Sequence, residues 1–495
     1  MRVPVAFMLA FVVGTMVPAP GASPTLPYCE NICCILVDGA NVEEVNQRWG
    51  TYVIAAEEGE DLYLLGVEHT TNLERLSKAM SLDPAIETVE PDRVIETPEA
   101  VRQMVIAAVG GTLDDFSAQD FTARVHLDLA HETSRGAGVV VAVLDTGIDR
   151  DHPLFAGRLH EFAFDTIDND TSAGEEANGC DDDGDGMIDE AYGHGTMVAG
   201  LIALVAPEAR IMPIRVLDDE GRGTIFTVAR GMMKAMSHGA HLINMSFGAP
   251  RVMETIRQKL RVANIHRAIT FAGAGNRGIE FPPYHPACDL LAHMVTAVDS
   301  IDIKADFSDY HEASLISAPG VAVRSAYPNG EWAVGSGCSF ATPIVCGAAA
   351  LLLGVDPRQS EQDLILQIGS GAEPIDGLPG NEPYAGKLGA GRIDLAGSVQ
   401  AYATGVEDRG PKIMALVAWP NPSSGPMHFR LDQQAGTLRL TILDAGGRLV
   451  RQMDAGSSMR WDGLDRSGRR VAPGIYWARV ESGREVGRLA LTIVR

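Results

Sequence analysis

The sequence is poor in basic residues. Its 495 residues include 40 Lys and Arg against 65 Asp and Glu, which gives a formal net charge of −25 at pH 7. Proteins that bind nucleic acid neutralise phosphates with clustered cations. The charge balance therefore argues against a nucleic-acid partner. Much of the acid falls between positions 165 and 190, which favours local cation binding as well as solubility.

Cysteine is also scarce, with seven residues in the whole chain. So few cysteines suit an exported protein but do not make a disulfide scaffold of this length. Three of them precede any expected mature start: Cys29, Cys33 and Cys34. The pairing of the other four is left open: Cys180, Cys288, Cys338 and Cys346.

Apolar runs long enough for a comfortable membrane span are missing as well. The first residues instead have the pattern of a secretory signal, in which Arg2 is the positive start, 5–17 is apolar and 19–22 is small. This run is short for a transmembrane helix, and we expect no later segment to qualify. We predict a signal peptide over 1–22 and a location outside the cell or on its surface. A buried N-terminal strand is the alternative.

The central part of the chain alternates buried strands with helices. Residues 139–144 are six apolar, mostly β-branched residues in a row, typical of a strand covered on both faces of a parallel sheet. This alternation predicts an α/β fold whose ligands bind beyond the carboxyl ends of the strands. The further predicted strands are 211–216, 242–245, 269–272 and 294–298, and the predicted helices are 194–205, 224–238 and 252–264.

The region before this sheet has the pattern of a small α+β module. We predict strands over 35–37, 52–56 and 86–94 and a helix over 72–80, which form a β-α-β domain over 30–97. An ordinary ferredoxin-like domain is one interpretation. The acidic stretch 98–120 is predicted to be a weakly structured connector suited to processing.

Asp145 directly follows the first central strand, in the triplet Asp145-Thr146-Gly147. The same triplet occurs in aspartic proteases, which need two carboxylates that share a proton. A second copy of the triplet is missing, and the setting is α/β and not all-β. These two facts argue against an aspartic protease.

Two further polar residues lie at predicted helix starts. His194 stands between glycines in 193–200, and Ser339 follows a glycine-rich turn and precedes the apolar run 344–353. Taken singly, His194 fits a structural histidine and Ser339 a helix N-cap. The order of acid, histidine and serine along the chain matches the subtilisin arrangement.

The motifs resemble those of subtilisin-like serine proteases. That family has signatures near DTGID, GHGTHVAG and GTSMATP, and this sequence has DTGID, GHGTMVAG and GCSFATP. The resemblance covers 30–405 and implies a parallel-sheet peptidase domain over 121–405. It implies that Ser339 attacks the scissile carbonyl, that His194 carries the proton, and that Asp145 fixes the tautomer of His194 and stabilises its charged form.

The resemblance extends to an oxyanion residue and to the substrate-binding segments. Residues 272–276 have the sequence AGAGN after a predicted strand, so Asn276 is expected to donate its amide to the tetrahedral intermediate. An extended substrate is expected to add as a strand between two glycine-containing edges. The expected contact residues are Gly221, Gly223, Ser246 and Gly248, with Gly273 and Gly275 flooring the primary specificity pocket.

The predicted α+β module resembles the propeptide of the same family. Residues 89–92 have the sequence VEPD and are followed by Val94, as the last strand of such propeptides often is. The resemblance implies a folding chaperone that is also an intramolecular inhibitor and is later cut away.

The acidic insert before the histidine motif has the pattern of a calcium loop. Its aspartates fit positions 1, 3, 5 and 9 of such a loop, but Tyr192 at position 12 excludes a full EF-hand. We predict structural calcium and no organic cofactor, with Asp189 or Glu190 closing the site. A solvated acidic loop is the alternative. The predicted ligands are Asp181, Asp183, Asp185 and Asp189.

The tail has an all-β pattern. Residues 438–443 alternate, 444–447 form a turn and 448–450 return, which predicts a hairpin in a sandwich over 412–495. The runs WDG and GIYWARV resemble the C-terminal domain of type IX secretion cargo and equally the Ig-like domain of flagellar hook-capping proteins. The first resemblance implies sorting through the secretion machinery. A generic Ig-like accessory domain is the alternative.

These predictions describe a secreted serine endopeptidase, made as an autoinhibited zymogen, that hydrolyses polypeptides through an acyl-enzyme. A catalytically inactive cell-surface binding protein on the same fold is the alternative. Cys338 stands where the family usually has threonine, and we expect it to pack without pairing. The motifs leave open the cleavage preference, the processing sites, the number of calcium ions and the physiological substrate.

Overall fold

The structure is a computed structural model that describes residues 28–403 and 416–493. Within these ranges the described part omits 58, 60, 69–70, 100–105, 281–283, 420–422, 424, 432–437, 445–448, 456–458, 473 and 483–484. The predicted signal peptide lies outside the described residues.

An N-terminal module precedes the central sheet. Its antiparallel strands, in spatial order, are Tyr52–Glu57, Leu62–Gly66, Tyr28–Leu36 and Ile86–Glu96. The helices Val42–Trp49 and Leu73–Met80 begin after Asn41 and Asn72, whose side chains accept backbone N–H groups of the first turn. The prediction found this α+β module but missed its first helix and the strand Leu62–Gly66.

The central domain is built on a seven-stranded parallel sheet. The strand Val140–Asp145 lies between Leu242–Met245 and Arg210–Arg215, so Asp145 ends a central strand where the order of connections reverses. The predicted α/β class is confirmed. The spatial order is Ile316–Pro319, His293–Val298, Ile269–Gly273, Leu242–Met245, Val140–Asp145, Arg210–Arg215 and Phe164–Asp165.

The main helices lie close to their predicted positions. His194–Val205 packs against Cys338–Val355, and Ile225–Ser237 packs against Glu254–Ile265. The smaller elements of the domain are Pro153–Phe155, Arg222–Thr224, Val323–Tyr327, Glu331–Gly335, Glu361–Gly371, Glu382–Tyr384 and Leu395–Ala403.

The expectation of a weakly structured connector over 98–120 is wrong for its second half. Ala107–Ala108 pairs with Glu331–Gly335, and the helix Leu113–Ser117 begins at Thr112. Thr112 and Asp115 form a capping box, and Phe116 is buried against the domain. Two further short helices follow at Asp120–Arg124 and Leu127–His131.

The helix Cys338–Val355 is 18 residues long, and its mean hydropathy of 2.0 makes it long and apolar enough to cross a membrane. The expectation that no segment after the signal has this composition is therefore wrong. However, 89% of the helix is buried inside the protein, where it packs against His194–Val205 and the central sheet. A helix that is apolar all round is also typical of a protein core. No second such helix occurs in the described part of the chain.

The C-terminal region forms two small antiparallel sheets. One contains Leu416–Trp419, Met427–Leu431 and Met459–Trp461, and the other contains Leu449–Ala455, Leu438–Asp444, Gly474–Ser482 and Glu485–Ile493. Phe429, Leu440, Trp461 and Tyr476 are among the residues of their shared core. The predicted all-β sandwich and its hairpin are confirmed, although 445–447 of the predicted turn lie outside the described residues.

Candidate active site

The carboxyl end of the strand Val140–Asp145 meets the N-terminus of the helix His194–Val205. His194 Nδ1 lies 2.6 Å from Asp145 Oδ1, which also accepts the Thr146 N–H at 2.9 Å. Both side chains are fully buried. Gly195 permits the approach, because a Cβ there would collide with the Gly147 carbonyl and Asp145. The structure therefore brings the predicted acid and histidine into one hydrogen-bonded pair.

Ser339 is the second residue of the buried helix Cys338–Val355, and Asn276 lies beside it. The Asn276 side-chain oxygen accepts the Cys338 N–H at 2.9 Å, which fixes the amide against the helix start. The Ser339 hydroxyl lies 3.1 Å from the Ser246 carbonyl, and the Ser246 hydroxyl donates to the Ser339 carbonyl at 2.9 Å. Ser246 is thus placed at the predicted nucleophile.

Glu99 also lies at this site, and the sequence motifs did not indicate it. Glu99 Oε2 accepts the Ser339 hydroxyl at 2.7 Å and lies 3.3 Å from His194 Nε2. Glu99 Oε1 accepts the Asn276 amide at 2.8 Å. Burial alone would lower the pKa of His194, but Asp145 and then Glu99 raise it to about 10. One carboxylate therefore joins the predicted base, nucleophile and oxyanion donor.

The N-terminal module enters the cleft as an added strand. The residues Val94, Ile95 and Glu96 pair antiparallel with Arg222–Thr224, and Glu96 exchanges hydrogen bonds of 3.0 and 2.9 Å with Gly248. Thr97 donates its N–H to the Gly221 carbonyl at 3.0 Å. The structure thus places chain 94–97 between the predicted substrate-binding residues Gly221, Gly223 and Gly248.

Gly273 and Gly275 lie behind the helix start that carries Ser339. A Cβ on Gly273 would come within 3.3 Å of Thr342 Oγ1 and 3.4 Å of the Cys338 carbonyl carbon. The Gly275 carbonyl accepts the Cys338 thiol at 3.1 Å. Cys338 is fully buried, and burial raises its pKa to about 12. The role of the two glycines in a specificity pocket stays a prediction.

Glu175 connects the turns that carry Asp145 and His194. Its carboxylate accepts the N–H groups of Gly193 at 3.1 Å and Thr196 at 2.9 Å, together with the hydroxyls of Thr146 and Thr196. Burial raises the pKa of Glu175 to about 7, against the effect of these donors. Glu175 has only a weak signal in the sequence, namely its place in an acidic insert between two threonine-containing motifs.

The structure groups three of the four predicted metal ligands. Carboxylate oxygens of Asp181, Asp183 and Asp185 all lie within 4.8 Å of one another on an exposed loop. Asp189 lies apart from this group and accepts the Gly179 N–H at 2.9 Å. A second acidic cluster surrounds Arg215, whose guanidinium already pairs with its three members, so it is an ion-pair cluster: Asp165, Asp168 and Glu176.

Two carboxyls lie beneath the acidic loop, a buried one on Glu220 and a half-buried one on Glu190. Glu190 Oε2 and Glu220 Oε2 are shielded from solvent, and the two carboxyls face each other, so burial and then the Glu220 carboxyl raise the pKa of Glu190 to about 8. Glu220 Oε1 accepts the N–H groups of Asp182 at 3.2 Å and Asp189 at 3.4 Å. The loop is thereby tied to residue 220, which directly precedes the substrate-binding Gly221. Two facing carboxyls beside three exposed aspartates fit the ligand chemistry of calcium.

The module also contacts two helix N-termini of the central domain. Glu90 accepts the Thr255 N–H at 2.7 Å, and Asp92 accepts the Phe226 N–H at 2.9 Å. These N–H groups open the helices Glu254–Ile265 and Ile225–Ser237 and have no partner within their own helix. The VEPD segment therefore caps two helices that belong to another part of the chain.

Comparisons with known proteins match the central domain and the tail separately. The Subtilase family matches residues 136–367. Thermitase from Thermoactinomyces vulgaris is 33% identical over 264 residues, which cover 51% of this chain and 88% of thermitase. The chain belongs to the subtilase family. It is accordingly a serine endopeptidase, and its substrates are polypeptides.

Other comparisons agree with this membership. Subtilisin BL from Lederbergia lenta is 36% identical over 247 residues, which cover 48% of this subtilase and 84% of that protein. The solved structure of fervidolysin from Fervidobacterium pennivorans has a TM-score of 0.64 at 20% identity, covering 93% of this chain and 72% of that one, and it supports the fold alone. The FlgD Ig-like domain matches residues 421–485, so the tail is an Ig-like domain.

Proposed function

We propose that this subtilase hydrolyses peptide bonds with Asp145, His194 and Ser339 as its triad and Asn276 as its oxyanion donor. The observation that carries the proposal is the 2.6 Å bond from His194 to Asp145, at a point where Ser339 and Asn276 meet a single carboxylate.

Each residue has a role that follows from its position. Asp145 holds Nδ1 of His194, which leaves Nε2 to take the Ser339 proton during attack and to return it to the leaving amine. The Asn276 amide is fixed by its bond to the Cys338 N–H and points to where the oxyanion develops. Water then hydrolyses the acyl-enzyme on Ser339.

A fluorophosphonate probe tests the triad. The processed wild-type protein should be labelled at Ser339, and Ser339→Ala should not be labelled. An unlabelled processed wild type would instead favour the alternative, an inactive binding protein on this fold.

We propose that residues 30–97 are a propeptide that inhibits the enzyme in the precursor. Support comes from the strand 94–97, which occupies the same backbone edges that an extended substrate needs. Processing would fall in 98–120 and leave a mature domain over 121–405. Mass spectrometry of the secreted form tests this, and a mature N-terminus before residue 97 would contradict it.

We propose a structural calcium ion on the acidic insert. Asp181, Asp183 and Asp185 would hold it, and the facing carboxyls of Glu190 and Glu220 would be drawn toward it. Bound calcium would supply charge neutralisation to this loop and no step of the reaction. Melting with and without EGTA tests the site; an unchanged melting temperature would count against it.

We propose that the protein is secreted and that the domain over 412–495 is a sorting or surface-attachment signal. The sequence pattern at 1–22 and the Ig-like tail support the proposal. Deleting 412–495 and measuring export tests it. Normal export of the truncated enzyme would favour an accessory domain.

A further inference from the structure

The backbone of the module follows a substrate path only as far as Thr97. Glu96 pairs with Gly248, so the antiparallel register would set Ser246 opposite Pro98. Pro98 has no N–H to donate, and it opens a helical turn together with Glu99. The Ser246 carbonyl lies 3.1 Å from the Ser339 hydroxyl instead. The main chain therefore turns away before it presents an extended peptide bond to Ser339.

The Glu99 side chain takes the place that the backbone leaves. Its carboxylate is 5% exposed, with one oxygen on Ser339 and His194 and the other on the Asn276 amide. Glu99 Oε1 also lies against Gly337, where even a methyl group would collide with it. A carboxylate bridging the nucleophile and the oxyanion donor has the chemistry of the acid product of hydrolysis.

We propose that Glu99 is an internal product mimic that locks the precursor, a role that rests on the proposed function of the triad. The lock has two parts: Pro98 cannot donate the N–H that would pair with the Ser246 carbonyl, and Glu99 engages the base, the nucleophile and the oxyanion donor together. His194 in an ion pair with Glu99 has no free Nε2 lone pair to accept the Ser339 proton. Strand pairing alone would block the cleft but would leave these three groups free.

The test uses freshly prepared full-length precursor and the rate of fluorophosphonate labelling. Glu99→Gln keeps the shape and removes the charge. It should speed labelling by about ten- to a hundredfold, as expected for the loss of charge-assisted hydrogen bonds. Glu87→Gln is the matched control, because Glu87 lies in the same strand Ile86–Glu96 with an exposed side chain, upstream of the residues that enter the cleft. It should label within about twofold of wild type.

The outcomes separate the lock from the proposed function. If Glu99→Gln labels at the wild-type rate while processed wild type labels fast, the lock is wrong and the triad stands. If processed wild type is never labelled, the triad itself is wrong.

A second measurement guards against misprocessing or misfolding of the variant. In a Ser339→Ala background, which keeps the precursor intact, NMR can follow the proton between Asp145 and His194. Glu99→Gln should lower the pH at which His194 deprotonates by about one unit or more. An unchanged titration in a folded variant would overturn the lock.

Discussion

His194 has a carboxylate at each of its ring nitrogens, and the two belong to different parts of the chain. Asp145 lies at Nδ1, at the end of a central strand, and Glu175 binds the turns around it. Glu99 lies at Nε2 and comes from the segment that follows the N-terminal module. The Nδ1 side is held by the central domain itself, whereas the Nε2 side is held by a segment that leaves if the module is removed as proposed. The contact at Nδ1 therefore belongs to the lasting geometry of the base, whereas the contact at Nε2 blocks the base only while that segment is bound.

The largest effect is expected at Asp145, on the Nδ1 side of His194. Asp145→Asn should lower kcat of the processed enzyme by about 10⁴, because His194 would lose the acceptor that sets its tautomer. Steady-state hydrolysis of a peptide substrate measures this, with the exposed Asp151→Asn as control. A fall of less than about tenfold would show that Asp145 does not orient the base.

The next effect concerns the amide that Glu99 occupies in the precursor. Asn276→Ala should lower kcat about 10²–10³-fold, as loss of the oxyanion-hole asparagine does in subtilisin. KM should change little, because the amide would act on the transition state and not on bound substrate. Asn264→Ala, on a surface helix, is the control. A change confined to KM would show that the amide binds substrate and not the transition state.

Glu175→Gln should have a smaller effect through positioning. The variant keeps the shape but weakens the four bonds that join the two turns, so kcat should fall about tenfold with KM unchanged. Kinetics of the exposed Glu161→Gln provide the comparison. A wild-type kcat in Glu175→Gln would show that Glu175 does not position the turns that carry Asp145 and His194.

The same variant should also change how the stability of the protein depends on pH. The pKa of Glu175 rises from 4.5 to about 7 on burial, so between these values the folded chain keeps a proton that the unfolded chain has lost. Glu175 therefore lowers the free energy of unfolding as pH rises from about 4.5 to about 7. Glu175→Gln has no carboxyl to titrate and so does not lose this stability. As pH rises across this interval, its melting temperature should therefore rise relative to that of wild type. Parallel curves for the two proteins would contradict the shift.

The smallest effect is expected at Cys338, next to the nucleophile. Burial raises the pKa of its thiol to about 12, so iodoacetamide at pH 8 should leave it unmodified and leave activity intact. Mass spectrometry of the treated, folded enzyme measures this. Inactivation that tracks modification of Cys338 would show that the site opens more than its buried packing suggests.

The strands and helices of the central domain were predictable because each has a strong local signal. Six apolar residues at 139–144 and the glycine-flanked His194 specify a strand and a helix start without knowledge of their neighbours. The strand Leu62–Gly66 and the helix Leu113–Ser117 are short, and their signals are correspondingly weak. Their formation depends on partners that are distant in sequence, as the pairing of Leu62–Gly66 with Tyr28–Leu36 shows.

The residues of the site also divide into those with a local sequence signal and those without one. Asp145, His194, Ser339 and Asn276 were predicted from motifs, and the structure brings them together, although their catalytic roles stay a proposal. Glu99 and Glu175 belong to no motif, since their positions follow from a docked strand and from an insert that folds back on two turns. The placement of Asp189 away from Asp181 also depends on loop geometry, which carboxylate spacing does not determine.

The helix caps that Glu90 and Asp92 supply have a consequence for the lifetime of the mature enzyme. If the module is removed as proposed, the helices Glu254–Ile265 and Ile225–Ser237 each lose an acceptor for an N-terminal N–H. Each lost cap costs about 0.5–2 kcal/mol, so the mature domain is less stable than the same domain in the precursor. A protein whose stabilising partner has been destroyed cannot regain it after unfolding. We therefore expect the working enzyme to persist because it unfolds slowly, so that its half-life at a given temperature, and not its equilibrium stability, describes its durability.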